Sequence, residues 1–355
     1  MQLRNKAKPS PSYHCPVTVL LPVYNPGRFL RHSLDRILNQ SWSNFELLIV
    51  DDGSTDASWA VISSYKDKRI RALKNDRNLG IAATLNRGLE MASGEFVARY
   101  DIDDFSRHDR MKKQLQTFDQ HKDTVAVFSR GRLIDEKNRL IGWVRTPQNS
   151  QAVRWDLCFR NTLIHGSVMF RKKFVWEKLG GYQLLRTCED YDLWSRIIRD
   201  QGHIVVLKEN LVDYRIHTNS MMGKEHSEGA FTGHYETMRR IMEQNCREFM
   251  PGLLSEQQIS ILCSAWMDPI RADWKAFFFI QKEMLRHLKK PDQREVQKIL
   301  IEQDFSLYRK CRQAHCAIPF LRALSENDPA RFATLPWIRI LGDKVLATLK
   351  WRSPR

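Results

Sequence analysis

The sequence predicts an α/β protein with a doubly wound, largely parallel sheet, and three observations predict it. Four short apolar runs, at residues 17–21, 47–50, 69–73 and 96–100, alternate with amphipathic helical patterns, as in a parallel sheet flanked by crossover helices. Three of these runs lead into polar clusters: Tyr24-Asn25, Asp51-Asp52 and Asp101-Ile102-Asp103-Asp104. Solubility accounts for any one polar loop, but in such a sheet all three share the edge outside the carboxyl ends of the strands, where ligands bind. Finally, the alternation gives way near residue 224 to helical segments alone. The chain therefore divides into an N-terminal tail (1–14), an α/β domain (15–223) and a helical, basic C-terminal region (224–355).

Taken in order, Val17-Thr18-Val19-Leu20-Leu21 closes at Pro22 as a buried strand does. Tyr24-Asn25-Pro26-Gly27 is a turn. Leu30, Leu34, Ile37 and Leu38 then recur at helical spacing. The second strand runs into Asp51-Asp52-Gly53-Ser54-Thr55-Asp56, whose Ser, Thr and Asp are N-cap types for a helix over 59–65. After the third strand, Ile81, Leu85 and Leu89 mark a helix that stops near Gly94. Met111, Leu115 and Phe118 mark another, and residues 125–128, 166–170, 204–207 and 211–214 read as strands. Glu189-Asp190 opens a helix that ends at Gly202, and residues 231–242, 259–267 and 274–288 read as further helices.

The acidic burst is the sharpest single signal. Strand interiors do not tolerate unpaired charge, so the chain leaves the sheet there. Alternate residues on a strand exit share a direction, which aims Asp101 and Asp103 the same way. Such a pair suits a hard divalent cation with positions left open for phosphate; a solvated acidic turn is the other reading. A calcium EF-hand is excluded, because its sixth and twelfth positions require Gly and Glu and hold Ser106 and Lys112 here.

Composition narrows the class. A 42% hydrophobic chain of 355 residues with mean hydropathy −0.49 is that of a soluble globular protein. No run reaches the roughly 18 uncharged apolar residues of a membrane helix, and residues 1–12 lack the apolar stretch of a secretory signal; a cytoplasmic location is expected. Seven scattered cysteines imply reduced thiols. The net charge of +16 implies an acidic partner: nucleic acid, an anionic membrane face or phosphorylated substrates. Residues 337–355 interleave Arg339, Lys344, Lys350, Arg352 and Arg355 with apolar side chains, which fits a helix lying on an anionic bilayer or one packed on the domain.

Leu21-Pro22-Val23-Tyr24-Asn25, the run from Val50 to Asp56, Asp101-Ile102-Asp103-Asp104 and Glu189-Asp190-Tyr191-Asp192-Leu193-Trp194 occur in an order that resembles the family 2 glycosyltransferases of GT-A fold. Shorter strings agree: Asn78-Leu79-Gly80 with Asn86, His165-Gly166-Ser167, Gly180-Gly181-Tyr182 and Tyr214-Arg215-Ile216-His217. The resemblance covers about residues 15–220. Within the family the pattern is similar to bacterial enzymes that extend lipopolysaccharide, lipooligosaccharide or capsule chains.

The resemblance implies an inverting, metal-dependent enzyme that moves a hexose or N-acetylhexosamine from a UDP-sugar to a hydroxyl of a glycan or lipid-linked glycan; the basic 337–355 segment, read as the bilayer helix, would place it peripherally on the inner face of the cytoplasmic membrane. It implies Mn2+ or Mg2+ held by Asp103, with Asp101 on the ribose or the metal and His217 as a further contact. Asp52 would accept the uracil N3–H, Pro22 and Tyr24 would form the base pocket, and Asn25 and Asn86 would complete the nucleotide-sugar site. Asp190 would be the general base, with Glu189 raising its basicity by like-charge proximity. Trp143, Arg145, Trp155 and His165 lie in the stretch expected to shape the acceptor pocket, and the loop 218–223 is expected to close over the donor. A sugar-nucleotide nucleotidyltransferase would carry a Gly-rich phosphate loop where this chain has Pro22-Val23-Tyr24-Asn25. A nucleic-acid binder would carry a reading module; none is recognisable, so no nucleic-acid partner is expected.

Overall fold

The computed structural model describes residues 16–148, 150–216, 232–289 and 317–334, with isolated residues between 293 and 311. Nine strands form one sheet: β1 Val17–Val23, β2 Phe45–Asp51, β3 Ile70–Lys74, β4 Phe96–Arg99, β5 Phe105–Ser106, β6 Thr124–Ile134, β7 Leu140–Val144, β8 Met169–Arg171 and β9 His203–Arg215. Their order is β3-β2-β1-β4-β8-β6-β9-β5, with β7 attached to β6. The half β3-β2-β1-β4 is parallel, β8 runs antiparallel to β4 and β6, and β6 and β9 are again parallel. The carboxyl ends of β1, β2, β4, β6 and β9 therefore lie at one edge.

Both faces of the parallel half are covered, which is why its strands are apolar throughout. Val17, Val19 and Leu21 pack with Leu30, Leu34 and Ile37 of α1 (Phe29–Leu38) on one face. Leu20, Leu48 and Val50 meet Leu85 and Leu89 of α3 (Ile81–Met91) on the other. Between them α2 (Ser58–Ser64) follows the β2 loop, where Asp56 Oδ1 accepts the Ser58 N–H at 3.0 Å. The helix α4 (Arg110–Gln120) covers the first face through Met111 and Phe118.

Several elements depart from the periodicity reading. The expected strand at 166–170 is a 3₁₀ turn, His165–Ser167, followed by the three residues of β8; Ser167 donates back to the Ile164 carbonyl (2.8 Å). β6 runs on to Ile134, and the two short strands expected at 204–214 form one strand with register shifts against β6. The β6–β7 hairpin, α5 (Ser150–Leu157) and a π-helix at Lys173–Lys178 are additional. Five of the eight α5 residues are buried, Asp156 among them, so α5 has no clean polar face to betray it.

Helix α6 (Glu189–Arg199) carries the second acidic motif. Beyond residue 224 come α7 (Thr232–Phe249), α8 (Glu256–Met267), α9 (Trp274–Arg286), α10 (Ala317–Asn327) and α11 (Pro329–Thr334). Asn245 on α7 donates to the Leu157 carbonyl (2.7 Å) and to Ser195 Oγ on α6 (2.9 Å). The apolar cluster under α3 and α6 continues into these helices as far as Phe332. Among the described residues no helix is long and apolar enough to cross a membrane. The segment 337–355 lies outside the described residues.

Candidate active site

At the end of β4 the backbone turns out of the sheet, and arginines from three elements hold the turn. Arg99 is buried and pairs through Nη1 with Asp101. Beneath the turn lies Arg110, fully buried, whose fork donates to the carbonyls of Gly166 (2.6 Å), Arg99 (2.8 Å) and Val168 (3.1 Å) and to Ser106 Oγ (2.8 Å). Its guanidinium stacks 4.1 Å from the Tyr100 ring centroid, and a planar five-donor group can span that set where lysine cannot. From β9, the Arg215 N–H donates to Asp104 Oδ1 (2.9 Å) and its Nε to the Asp103 carbonyl (2.9 Å). Asp104 is thus tied to β9, well ahead of α4, which starts at Arg110 behind Asp109, and it is buried with Oδ2 lacking a hydrogen-bond partner. Asp101 and Asp104 both abut Gly166, where an added Cβ would come within 2.6 Å and 2.9 Å of their Oδ2 atoms.

The second acidic motif faces the same edge. Cys188, in the left-handed region (φ 64°), turns the chain into α6. Asp190 Oδ2 accepts from Asn161 Nδ2 (2.9 Å) and its Oδ1 from the Tyr191 N–H (2.7 Å). Glu189 is buried; its Oε1 lies 3.9 Å from His165 Nδ1 and its Oε2 has no hydrogen-bond partner. His165 Nε2 and the Tyr182 hydroxyl are 2.9 Å apart.

Electrostatics ties the two motifs together. Burial, then the Asp190 charge, pushes Glu189 up to about 7. Burial also raises the Asp190 and Asp101 carboxyls, opposed in each case by the Arg99 guanidinium among other groups. Asp104 is held well above the ordinary range by burial and then by the Asp101 charge. His165 is held well below its ordinary value by burial and by Arg99, so it is neutral. The Tyr214 phenol is raised by burial and then by Asp104, Asp101, Asp103 and Asp190. Arg99 and Tyr214 each feel carboxylates from both motifs.

The loops after β1 and β2 form a third wall. Asn25 has φ 45° and its N–H donates to Ser54 Oγ (3.0 Å), while its Oδ1 accepts the Thr55 N–H (2.9 Å), locking the two loops together. Asp51 Oδ1 accepts the Ser54 N–H (2.9 Å). Asp52 is buried and accepts from Asn75 Nδ2 (2.7 Å) and the N–H groups of Leu79 (2.9 Å) and Gly80 (3.0 Å). Pro22 lies in β1 opposite Val50, and the Tyr24 side chain is half exposed at the mouth. Asn86 stands apart from these: its Nδ2 donates to the Tyr182 carbonyl and its Oδ1 accepts the Tyr182 N–H, both at 2.8 Å. His217 and the loop 218–223 lie outside the described residues.

Among the described residues no three His, Cys, Asp or Glu side chains close around one point in a metal-binding geometry. The donor chemistry nevertheless fits a hard divalent ion: three carboxylates in four residues, one of them with a buried unpartnered oxygen. Arg99, Arg110, Asn161 and Tyr214 received no role from the sequence. Arg99 carried the one available signal, a charge inside an apolar strand two residues before the acidic burst.

The fold matches that of Staphylococcus aureus TarS, whose residues 1–349 were solved in complex with UDP-GlcNAc: TM-score 0.56 over 94% of this chain and 90% of that one, at 16% identity. This is the GT-A fold of an α/β glycosyltransferase. The model for glycosyl transferase family 2 matches residues 18–179. Bacillus subtilis EpsE, named as a glycosyltransferase, is 32% identical over 221 residues, 59% of this chain and 76% of that protein. Bacillus subtilis TuaG, named as a glycosyltransferase of teichuronic acid biosynthesis, is 27% identical over 209 residues, 58% of this chain and 81% of that protein. The chain belongs to glycosyl transferase family 2.

Proposed function

We propose that this glycosyltransferase works with inversion, moving a hexose or N-acetylhexosamine from a UDP-sugar to a hydroxyl of a glycan or lipid-linked glycan in cell-surface polysaccharide synthesis. The observation that carries the reading is that one buried guanidinium, Arg99, pairs with Asp101 and lies within electrostatic reach of Glu189 and Asp190. The fold-level likeness to TarS bound to UDP-GlcNAc supports the donor class, and the TuaG name supports a cell-surface polymer as acceptor.

Asp190 takes the proton from the acceptor hydroxyl as that oxygen bonds to C1, while the bond from C1 to the diphosphate oxygen breaks on the opposite face. Asn161 and the Tyr191 N–H fix the Asp190 carboxylate, and burial raises its proton affinity, which suits a general base. Neutral His165 and Tyr182 form a hydrogen-bonding wall beside it. On the nucleotide side, three hydrogen bonds leave Asp52 about one of its roughly four acceptor positions, which we assign to the uracil N3–H. Tyr24 stacks on the base above Pro22, with Asn25 and the Asp52-bound loop as walls; Asn86 acts at one remove, by holding Tyr182. Asp103 and Asp101 would hold Mn2+ or Mg2+, which when bound neutralises charge developing on the departing diphosphate.

The test is release of UDP from UDP-Glc, UDP-Gal, UDP-GlcNAc and UDP-GalNAc with manganese, with and without acceptor. Asp190→Asn is expected to lower turnover by about 10²–10⁴-fold while UDP affinity is retained, and Asp103→Ala to remove the manganese response. A protein that releases UDP from none of these donors, yet binds DNA with a steep salt dependence, is not this enzyme.

A further inference from the structure

The β6–β7 hairpin carries exposed apolar side chains that the transfer reaction does not use. Leu140, Ile141 and Trp143 are 47%, 54% and 56% exposed, and the patch lies on a strand that, among the described residues, pairs only with β6. The ladder shifts register beside Ile141, between the pairs Leu133–Gly142 and Ile134–Leu140, and such a bulge re-aims side chains. Ile141 is the residue the bulge adds between Leu140 and Gly142, and Trp143 stands opposite Arg132 on the regular side of it. Bare apolar edge strands invite unwanted pairing and are ordinarily blunted or covered, so this one calls for an occupant.

The flanks are cationic: residues 130–145 contain five Arg or Lys (130, 132, 137, 139, 145) against Asp135 and Glu136, and Arg132 is the one held by a carboxylate of β9, Asp213. Lys137, Arg139 and Arg145 are exposed. The Arg139–Asp135 pair is solvent-facing on the arginine side, where an ion pair holds its partner only weakly. The hairpin also borders the site. Arg215, which holds Asp104 and the Asp103 carbonyl, donates through Nη1 to the Asp135 carbonyl (2.9 Å) and through Nη2 to Asn138 Oδ1 (2.8 Å) in the hairpin turn.

We propose that this edge of the molecule docks on an anionic lipid surface, with Leu140, Ile141 and Trp143 entering the headgroup–acyl boundary and the flanking Lys and Arg facing lipid phosphates. Aliphatic side chains at an aromatic, cation-flanked tip are the composition of an interfacial element. A second copy of the chain fits worse, since pairing two β7 edges would bring like charges together. A glycan would stack on Trp143 but gains little from Leu140 and Ile141. Docking in this orientation presents the site to a lipid-linked acceptor, and in that respect the proposal rests on the acceptor class given above.

The test is co-sedimentation of the full chain, without donor or acceptor, with vesicles of phosphatidylcholine alone or mixed with phosphatidylglycerol. Binding is expected only to the mixed vesicles and to weaken with added salt. The exposed double variant L140N/I141N is expected to lower partitioning about tenfold or more, with sugar transfer to a soluble acceptor, read as UDP released, and the melting temperature unchanged. Vesicle binding by the variant equal to the parent's, or none by the parent, overturns the proposal. So does a dimer that L140N/I141N dissociates, or a Trp143→Ala protein that loses only soluble-glycan turnover. Because vesicle binding is read without sugar chemistry, it stands or falls separately from the donor and acceptor assignment.

Discussion

Glu189 and Asp190 are neighbours whose carboxyls burial raises alike but whose hydrogen bonding differs. Asp190 accepts two hydrogen bonds that favour its charged form, whereas the Glu189 carboxyl is buried with one oxygen unpartnered. Burial moves Glu189 from its ordinary 4.5 to about 7. A carboxyl whose folded pKa lies above its unfolded one binds its proton more tightly when folded, so the fold loses stability as pH rises through that interval. Glu189→Gln is therefore expected to raise stability above pH 7 by a margin on the order of a few kcal/mol, and to change it little below pH 4.5. Denaturant midpoints of both proteins at pH 4, 6 and 8 check the sign. The acidic pair itself was legible, because two carboxylates at a helix start form a local pattern. Arg99 was not: a single arginine in a strand carries no sign of which carboxylates face it.

The 3₁₀ turn at His165–Ser167 shows the same limit for an element. Its run into Met169 and Phe170 reads as strand, yet Gly166 must lie against the acidic turn, and its carbonyl is held by Arg110. Those partners are more than fifty residues away, and they override the local preference. Gly166→Ala places a methyl group within 2.6 Å of Asp101 Oδ2, so the two carboxylates must shift. Displacements approaching 1 Å cost up to about 10²-fold in rate; a loss of tenfold or more in turnover, with the melting temperature nearly unchanged, is expected. Unaltered kinetics would show that the turn yields freely. The β6–β7 hairpin has no sequence signature of its own, because the exposed run Leu140-Ile141-Gly142-Trp143 has the same apolar composition as the buried strands around it.

Across the whole molecule, the change of character near residue 224 was visible as the end of strand and helix alternation. The sequence does not show that the later helices complete the apolar cluster under α3 and α6. Asn245 joins α7 to both α5 and α6 through the Leu157 carbonyl and Ser195. Asn245→Ala is expected to cost about 1–3 kcal/mol, the usual effect of stranding buried polar groups. Circular dichroism and tryptophan fluorescence should shift together in a denaturant titration. A shift confined to one probe would mean that the two regions unfold separately.

The sequence by itself determined the parallel half of the sheet, its helices, the shared edge of the polar loops and the family. Period-two and helical patterns and short motifs are written among neighbouring residues, so no distant partner is needed to read them. Only the tertiary structure decided that Arg99 and Tyr214 sense both acidic motifs, that Arg110 and Arg215 hold the acidic turn, that Asp104 is tied to β9, and that Asn86 holds Tyr182. Those relations follow from the order β1-β4-β8-β6-β9, which sets side chains far apart in the chain against one another. Burial then fixes their charges, and burial is a property of the packed molecule.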